Sequence, residues 1–200
     1  MIEFKCRVVP VLGIADLQDG VKMCRMLAEG GLPAAEITFR NACAEELIRI
    51  AVKEFPGMQI GAGTVLNTDE LLRARDAGAS FAVAPGFNPD VAAEAAKIGM
   101  EYIPGVCTPT ELETAYRAGC RVLKFFPAEA AGGVKMLKAM LAPYKKLGLK
   151  FMPTGGITMG NASEYLALDG VAAVGGTWLS AGIPDWEKVA SAIAEAAKLC

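Results

Sequence analysis

The chain has 200 residues, 53% of them hydrophobic, and a formal net charge of -2. That length and apolar content can fill one substantial core, so a single domain over residues 1–200 is expected, while the small net charge offers nothing to nucleic acid or an anionic membrane surface. There is no histidine, which excludes a Ser-His-Asp triad, a His general base and a His-ligated metal, and leaves acid–base work to carboxylates, lysines, tyrosines, cysteines or water.

Taken from the start, Met1-Ile2-Glu3-Phe4-Lys5 lacks the apolar core of a signal peptide. The longest charge-poor apolar run, Gly170 to Pro184, is interrupted by Gly175, Gly176 and Gly182 and does not make a membrane span. A cytoplasmic protein without membrane partners is expected. Its six cysteines are scattered without a C-x-x-C pair, which speaks against zinc knuckles and redox motifs. Most read as small buried hydrophobes in a reducing compartment.

One unit then recurs: a short apolar strand, a turn, an amphipathic helix, and a glycine before the next strand. The strands read as Val8–Leu12, Ala34–Phe39, Gln59–Thr64, Phe81–Ala84, Tyr102–Val106, Val122–Phe126, Phe151–Thr154 and Val171–Val174, eight in all. Only seven residues precede the first of them, so any helix ahead of it is expected to be shortened or absent. Residues 40–56 read as strand end, turn and helix. Helix starts are marked at Asn67 with Glu70, at Asn88-Pro89-Asp90 and at Thr108-Pro109-Thr110-Glu111, and Trp186–Leu199 is a last amphipathic helix. Gly31, Gly78, Gly99, Gly119, Gly148 and Gly170 fall where helices end. Eight alternating units without a linker predict an α/β fold, a closed (β/α)8 TIM barrel with short loops. A doubly wound open sheet is the alternative, but Leu12-Gly13-Ile14-Ala15 is no dinucleotide fingerprint.

Strand six holds the chain's most informative residue. In Arg121-Val122-Leu123-Lys124-Phe125-Phe126-Pro127, period-two alternation puts Lys124 on a face with Val122 and Phe126, and Leu123 with Phe125 on the other. Both faces are apolar, as in a parallel strand covered on each side. A buried ammonium is costly unless it is paired or deprotonated. A strand-end lysine snorkelling to solvent and a functional amine both fit this stretch.

In a barrel the active site lies where strands end and βα loops begin. Those ends carry Glu36, Thr38 and Arg40, then Thr64, Pro85, Lys124, Thr154-Gly155-Gly156 and Gly175-Gly176-Thr177. Glu36, Thr38 and Arg40 share strand parity and are expected to face one mouth. Glu36 and Arg40 could instead be a surface ion pair, and Gly155-Gly156 only a turn. Yet glycines after strands seven and eight are where barrels commonly offer backbone N–H groups to a phosphate.

Together these stretches resemble the KHG/KDPG aldolase family, where KDPG is 2-keto-3-deoxy-6-phosphogluconate. The resemblance rests on Val9-Pro10-Val11, Glu36-Ile37-Thr38-Phe39-Arg40, Gly61-Ala62-Gly63-Thr64-Val65-Leu66, Pro85-Gly86, Pro104-Gly105, Lys124-Phe125-Phe126-Pro127-Ala128-Glu129, Pro153-Thr154-Gly155-Gly156-Ile157 and Gly175-Gly176-Thr177-Trp178. It implies a class I aldolase, generally trimeric and without a cofactor or metal, that cleaves a keto-acid phosphate, KDPG, to pyruvate and glyceraldehyde 3-phosphate. By motif match, Lys124 is the Schiff-base lysine and Glu36 the acid/base, while Arg40 and Thr64 hold the pyruvate carboxylate. Gly155, Gly156, Gly176 and Thr177 receive the phosphate, and Pro85, Phe126 and Thr154 belong to the same substrate-binding set. Thr177 stands where relatives often have serine.

The chemistry fits these groups. Cleaving a carbon–carbon bond beside a ketone needs an electron sink, and a protonated imine provides one if an amine can attack the carbonyl. An unperturbed lysine is only about one part in a few thousand neutral at pH 7. Burial between Val122 and Phe126, with Arg40's positive charge nearby, is expected to favour the free amine. The resemblance leaves open 4-hydroxy-2-ketoglutarate and the galactonate epimer of KDPG, which share the pyruvate half. A phosphate-binding isomerase or non-catalytic sugar-phosphate binder would explain the glycines but not Lys124.

Overall fold

The computed structural model describes residues 2–200. Among these residues nine parallel strands and eight α-helices follow one another, with a helix between successive strands except β5 and β6, in two hydrogen-bonded groups of strand order β5-β4-β3-β2-β1-β9 and β6-β7-β8. The strands are β1 (Val8–Leu12), β2 (Ala34–Thr38), β3 (Gln59–Gly63), β4 (Phe81–Val83), β5 (Glu101–Ile103), β6 (Gly105–Val106), β7 (Val122–Phe125), β8 (Lys150–Phe151) and β9 (Val174–Gly176). The expectation of eight is corrected at Pro104: lacking an N–H, it divides the fifth strand into β5 and β6. Its carbonyl still accepts from Lys124 N–H at 2.8 Å. The last strand is displaced from the expected Val171–Val174. Val171 makes an isolated bridge to Phe151, and the regular strand begins at Val174.

The sheet is curled. Beyond β8, Met152 and Thr154 donate to Leu123 O and Phe125 O, and Thr154 bridges Gly175. Between β8 and the last strand, Phe151 N–H donates to Gly170 O, Ala172 N–H to Phe151 O and Gly175 N–H to Pro153 O, each at 2.8–2.9 Å.

Helices α1 (Leu17–Glu29), α2 (Ala44–Glu54), α3 (Thr68–Asp76), α4 (Pro89–Ile98), α5 (Pro109–Arg117), α6 (Gly133–Tyr144), α7 (Met159–Leu166) and α8 (Trp186–Ala196) pack outside the strands. Thr108 and Glu111 form a reciprocal capping box, and Asn88 caps α4 with Pro89 in its first turn. Asn67 caps α3, but Glu70 reaches back to Leu66 N–H at 2.6 Å, one residue before the cap. The strand faces split as alternation predicts. Leu123 and Phe125 join the large strand–helix core, whereas Val122 joins an inner cluster with Val9, Ala34, Phe81, Val83, Ile103, Met152 and Ala173.

The lower end of that inner cluster is covered without a helix. Ile2 and Phe4 pack against it, and the Phe4 ring meets Phe81 edge-on at 5.6 Å. Gln59 holds this segment in place, accepting from Lys5 N–H and donating to Glu3 O, both at 3.1 Å. A disulfide joins Cys6 to Cys200, 194 residues away. The expectation of buried thiols is therefore corrected for these two; it holds for Cys24 and Cys120, whose thiols burial pushes up to about 12 and about 11. Cys43 and Cys107 are half-buried. No helix among the described residues is long and apolar enough to cross a membrane.

Candidate active site

Above the inner cluster, at the carboxyl ends of the strands, lies a cavity of about 400 Å³. Alternation along β2 brings Glu36 and Thr38 inward, and the following turn brings Arg40 to the rim, so all three line one mouth. Lys124 enters from β7, with Phe126 one inward step above it. Thr64 and Pro85 close one side after β3 and β4. Thr154, Gly155 and Gly156 form the side after β8, and Gly176 and Thr177 the side after β9. Of the strand-end residues singled out from the sequence, all but Gly175 line this space.

Its floor is an ion pair. Lys124 Nζ lies 3.1 Å from Glu36 Oε1 and 3.4 Å from Oε2, with the two residues 6% and 1% exposed. The open question about Glu36 is thereby answered: its ionic partner is Lys124 across the interior, not Arg40. Arg40 is exposed at the rim and donates from Nε to Thr38 Oγ1 at 3.4 Å, while the charge in contact with Lys124 is a carboxylate. Moving one proton from Nζ to Glu36 yields a free amine beside a carboxylic acid and leaves the pair's net charge at zero. Such a transfer would give a free amine without exporting charge from a buried site.

Gly63 makes this geometry possible. A Cβ there would fall on Glu36 Oε1 and within 2.6 Å of Glu36 Cγ. The next residue, Thr64, has φ +59, the one non-glycine residue at positive φ among those described. Opposite it, Gly155 and Gly156 turn at φ +99 and +79 into α7, whose N-cap Thr158 also lines the cavity. A helix N-terminus behind a glycine turn suits an anion. The Phe126–Pro127 peptide just above the lysine is cis.

Sequence reasoning passed over Val11, Ile157, Thr158 and Trp178 as wall residues. Trp178 had a signal, since it ends the quoted Gly-Gly-Thr-Trp motif. Its indole Nε1 is buried without an acceptor among the described residues, and its six-membered ring occupies the place a side chain at Gly176 would need. A second cavity, about 320 Å³ between α6 and the start of β8, is lined by Leu141, Leu149 and Phe151, with Lys138 and Lys145 exposed at its edge.

The family model described as KDPG and KHG aldolase matches residues 2–192. A 2-dehydro-3-deoxy-phosphogluconate aldolase of Treponema pallidum is 42% identical over 88% of this chain and 82% of its own. The crystal structure of the 2-keto-3-deoxy-6-phosphogluconate aldolase of Zymomonas mobilis with 3-phosphoglycerate superposes with TM-score 0.91 at 39% identity, covering 98% of this chain and 92% of that one. A KDPG aldolase from Legionella pneumophila, with pyruvate captured as a covalent carbinolamine, superposes with TM-score 0.85 at 36% identity over 98% and 92%.

Proposed function

Because the chain belongs to the KDPG and KHG aldolase family, we propose that Lys124 is the amine through which it acts and Glu36 the group that moves protons for it. The enzyme cleaves KDPG to pyruvate and glyceraldehyde 3-phosphate by a class I, Schiff-base route. The observation that carries the assignment is the buried Lys124–Glu36 pair at 3.1 Å on the floor of the cavity.

In this reading Glu36 takes a proton from Nζ, and the free amine adds to the keto carbon to form a carbinolamine. Glu36 returns that proton to the departing hydroxyl, leaving a protonated imine. The C4 hydroxyl proton then passes to Glu36 as the C3–C4 bond breaks, and its electrons move into the imine to give an enamine and the aldehyde. Glu36 protonates C3 of the enamine, and water releases pyruvate from Lys124. Arg40 and Thr64 hold the carboxylate. Gly155, Gly156, Gly176 and Thr177 take the phosphate, and Pro85, Phe126 and Thr154 shape the walls between. Phosphate held remote from the reacting carbons contributes orientation.

The proposal includes a single domain over 1–200 in which the curled sheet closes as a (β/α)8 barrel. The backbone bonds between residues 151–153 and 170–175 and the continuity of β5 with β6 support that closure. It also includes a homotrimer, as the family resemblance implies, and a cytoplasmic location. The four free cysteines suit a reducing compartment, and the Cys6–Cys200 bond would there be the exception, readable by non-reducing mass spectrometry of freshly lysed cells.

Borohydride reduction in the presence of pyruvate tests the core of the reading. A stable adduct on Lys124 is expected; no adduct, or one on another lysine, removes it. For the phosphate site, no Lys or Arg lies in residues 154–158 or 175–180. Backbone and hydroxyl donors must then serve, at roughly 1.5–3 kcal/mol each towards a charged partner. KDPG is expected to exceed unphosphorylated 4-hydroxy-2-ketoglutarate by at least about a hundredfold in kcat/KM. Equal values would make the glycine turns mere turns.

A further inference from the structure

Behind the glycine turn lies an acidic residue for which the reaction has no use. Glu129 stands five places after Lys124 in the chain. Its N–H donates to Gly155 O at 3.0 Å, and the preceding Ala128 N–H donates to Thr154 O at 2.8 Å, so its backbone is stitched to the turn. Its stem lies along the next residue of the turn: a Cβ built on Gly156 would come 2.6 Å from both Glu129 Cβ and Cγ. Glu129 is exposed, so burial does not fix its carboxylate. A hydrogen bond does, donated by the hydroxyl of Tyr165, a wholly buried residue of α7.

Where the carboxylate is held matters. A Cβ at Gly133, the first residue of α6, would meet Glu129 Oε1 at 3.3 Å and Tyr165 Oη at 3.5 Å. The negative charge therefore sits over the start of α6, where the helix dipole favours it. From the same stem, rotation about its side-chain bonds can swing it towards the face of Gly156. A phosphate bound there would meet a like charge, which costs affinity directly. Burial, and then the bond to Glu129, push the Tyr165 phenol up, so it remains a donor throughout the physiological range.

We propose that Tyr165 is a positioning residue for phosphate recognition: it pins the Glu129 carboxylate over the start of α6, away from the phosphate, and keeps the Glu129 stem braced against Gly156. This deepens the reading that Gly155 and Gly156 receive the phosphate and rests on it. Tyr165 does not line the cavity.

The experiment compares kcat and KM for KDPG and 4-hydroxy-2-ketoglutarate, with inorganic phosphate as competitive inhibitor, in the wild type and three variants. Tyr165→Phe keeps the buried ring and removes the donor. It should lower the KDPG preference at least about tenfold, mainly through KM, weaken inhibition by phosphate equally, and leave borohydride trapping of pyruvate unchanged. Glu129→Gln keeps an acceptor for Tyr165 without the charge and should retain the preference. The double variant Glu129→Gln/Tyr165→Phe should regain most of what Tyr165→Phe lost, because a released amide does not repel phosphate. An unchanged preference in Tyr165→Phe overturns the proposal. So does a loss that the double variant fails to recover, which would reduce the pair to bracing. Should Tyr165→Phe not fold, a preference lost in Glu129→Gln alone overturns it as well. Absence of a phosphate preference in the wild type is a different result, and it removes the phosphate site itself.

Discussion

At the carboxyl ends of the strands, Glu36, Thr38, Lys124 and Thr154 are buried polar or charged residues, all lining one cavity, and Thr64 stands beside them at positive φ. At the amino ends the same interior is filled by Val9, Ala34, Phe81 and Ile103 and covered by Ile2 and Phe4, with the Cys6–Cys200 bond tying the first residues to the last. A buried ion pair returns little net stability, and breaking it is costly. Apolar packing and a cross-link do stabilise. The strands thus separate their two tasks along their length, so changing the floor should leave turnover almost untouched, and removing both members of the mouth's ion pair together should leave stability almost untouched.

The largest effect should come from the mouth. Lys124→Met removes the proposed nucleophile, and kcat/KM for KDPG should fall by at least about 10⁴-fold with no borohydride-trapped pyruvate. Alone it strands the Glu36 carboxylate in the interior, which costs about 3–5 kcal/mol of stability. Adding Glu36→Gln should restore stability to the wild-type value or above, measured by urea unfolding, without restoring turnover. A double variant as unstable as the single one would mean that the pair holds the fold together, and the division of labour would be wrong.

The floor should give the reverse pattern. A cross-link spanning 194 residues constrains the unfolded chain strongly, and its loss by Cys200→Ser should cost about 2–5 kcal/mol. Phe4 is only half-buried, so Phe4→Ala should cost less, about 2 kcal/mol. Phe4→Ala should appear as a lower urea midpoint with the slope unchanged, and Cys200→Ser as a lower midpoint with a steeper slope, because the unfolded chain freed of its cross-link exposes more surface, while kcat/KM stays within about twofold for both. A tenfold fall in kcat/KM for either would show that the floor reaches the chemistry.

What could be read in advance follows the same division. Lys124 and Glu36 were visible because charge inside an apolar alternating strand conflicts with its surroundings, and that conflict is written locally. Their contact was not, since 88 residues separate them and no periodicity spans that gap; Arg40, four residues from Glu36, was the nearer guess. The Cys6–Cys200 bond is likewise invisible to spacing. Ile2 and Phe4 lie before the first strand without any pattern of their own, and only the exposed lower end of the inner cluster gives them a place. Pro104 was in plain view, yet whether a proline ends a strand or only interrupts its ladder depends on the neighbours its carbonyl meets.

The smallest predicted effect isolates strain at the mouth. Thr64, at φ +59, occupies a conformation that crowds a β-branched side chain. Such a residue stores about 1–3 kcal/mol. Glycine releases that strain but returns roughly 0.5–1 kcal/mol through the freedom of the unfolded chain. Thr64→Gly should therefore stabilise by about 1 kcal/mol, a rise in Tm of about 2–4 °C for a chain of this size. The same change removes the hydroxyl proposed to hold the substrate carboxylate, a charge-assisted bond of about 1.5–3 kcal/mol. KM for KDPG should rise at least about tenfold, with borohydride still marking Lys124. Thr64→Asn, which tolerates positive φ and keeps a polar end, should fall between the two in both properties. If Thr64→Gly lowered Tm instead, the unusual backbone would be held by what the threonine side chain contacts rather than imposed on it, and the mouth would be contributing to stability after all.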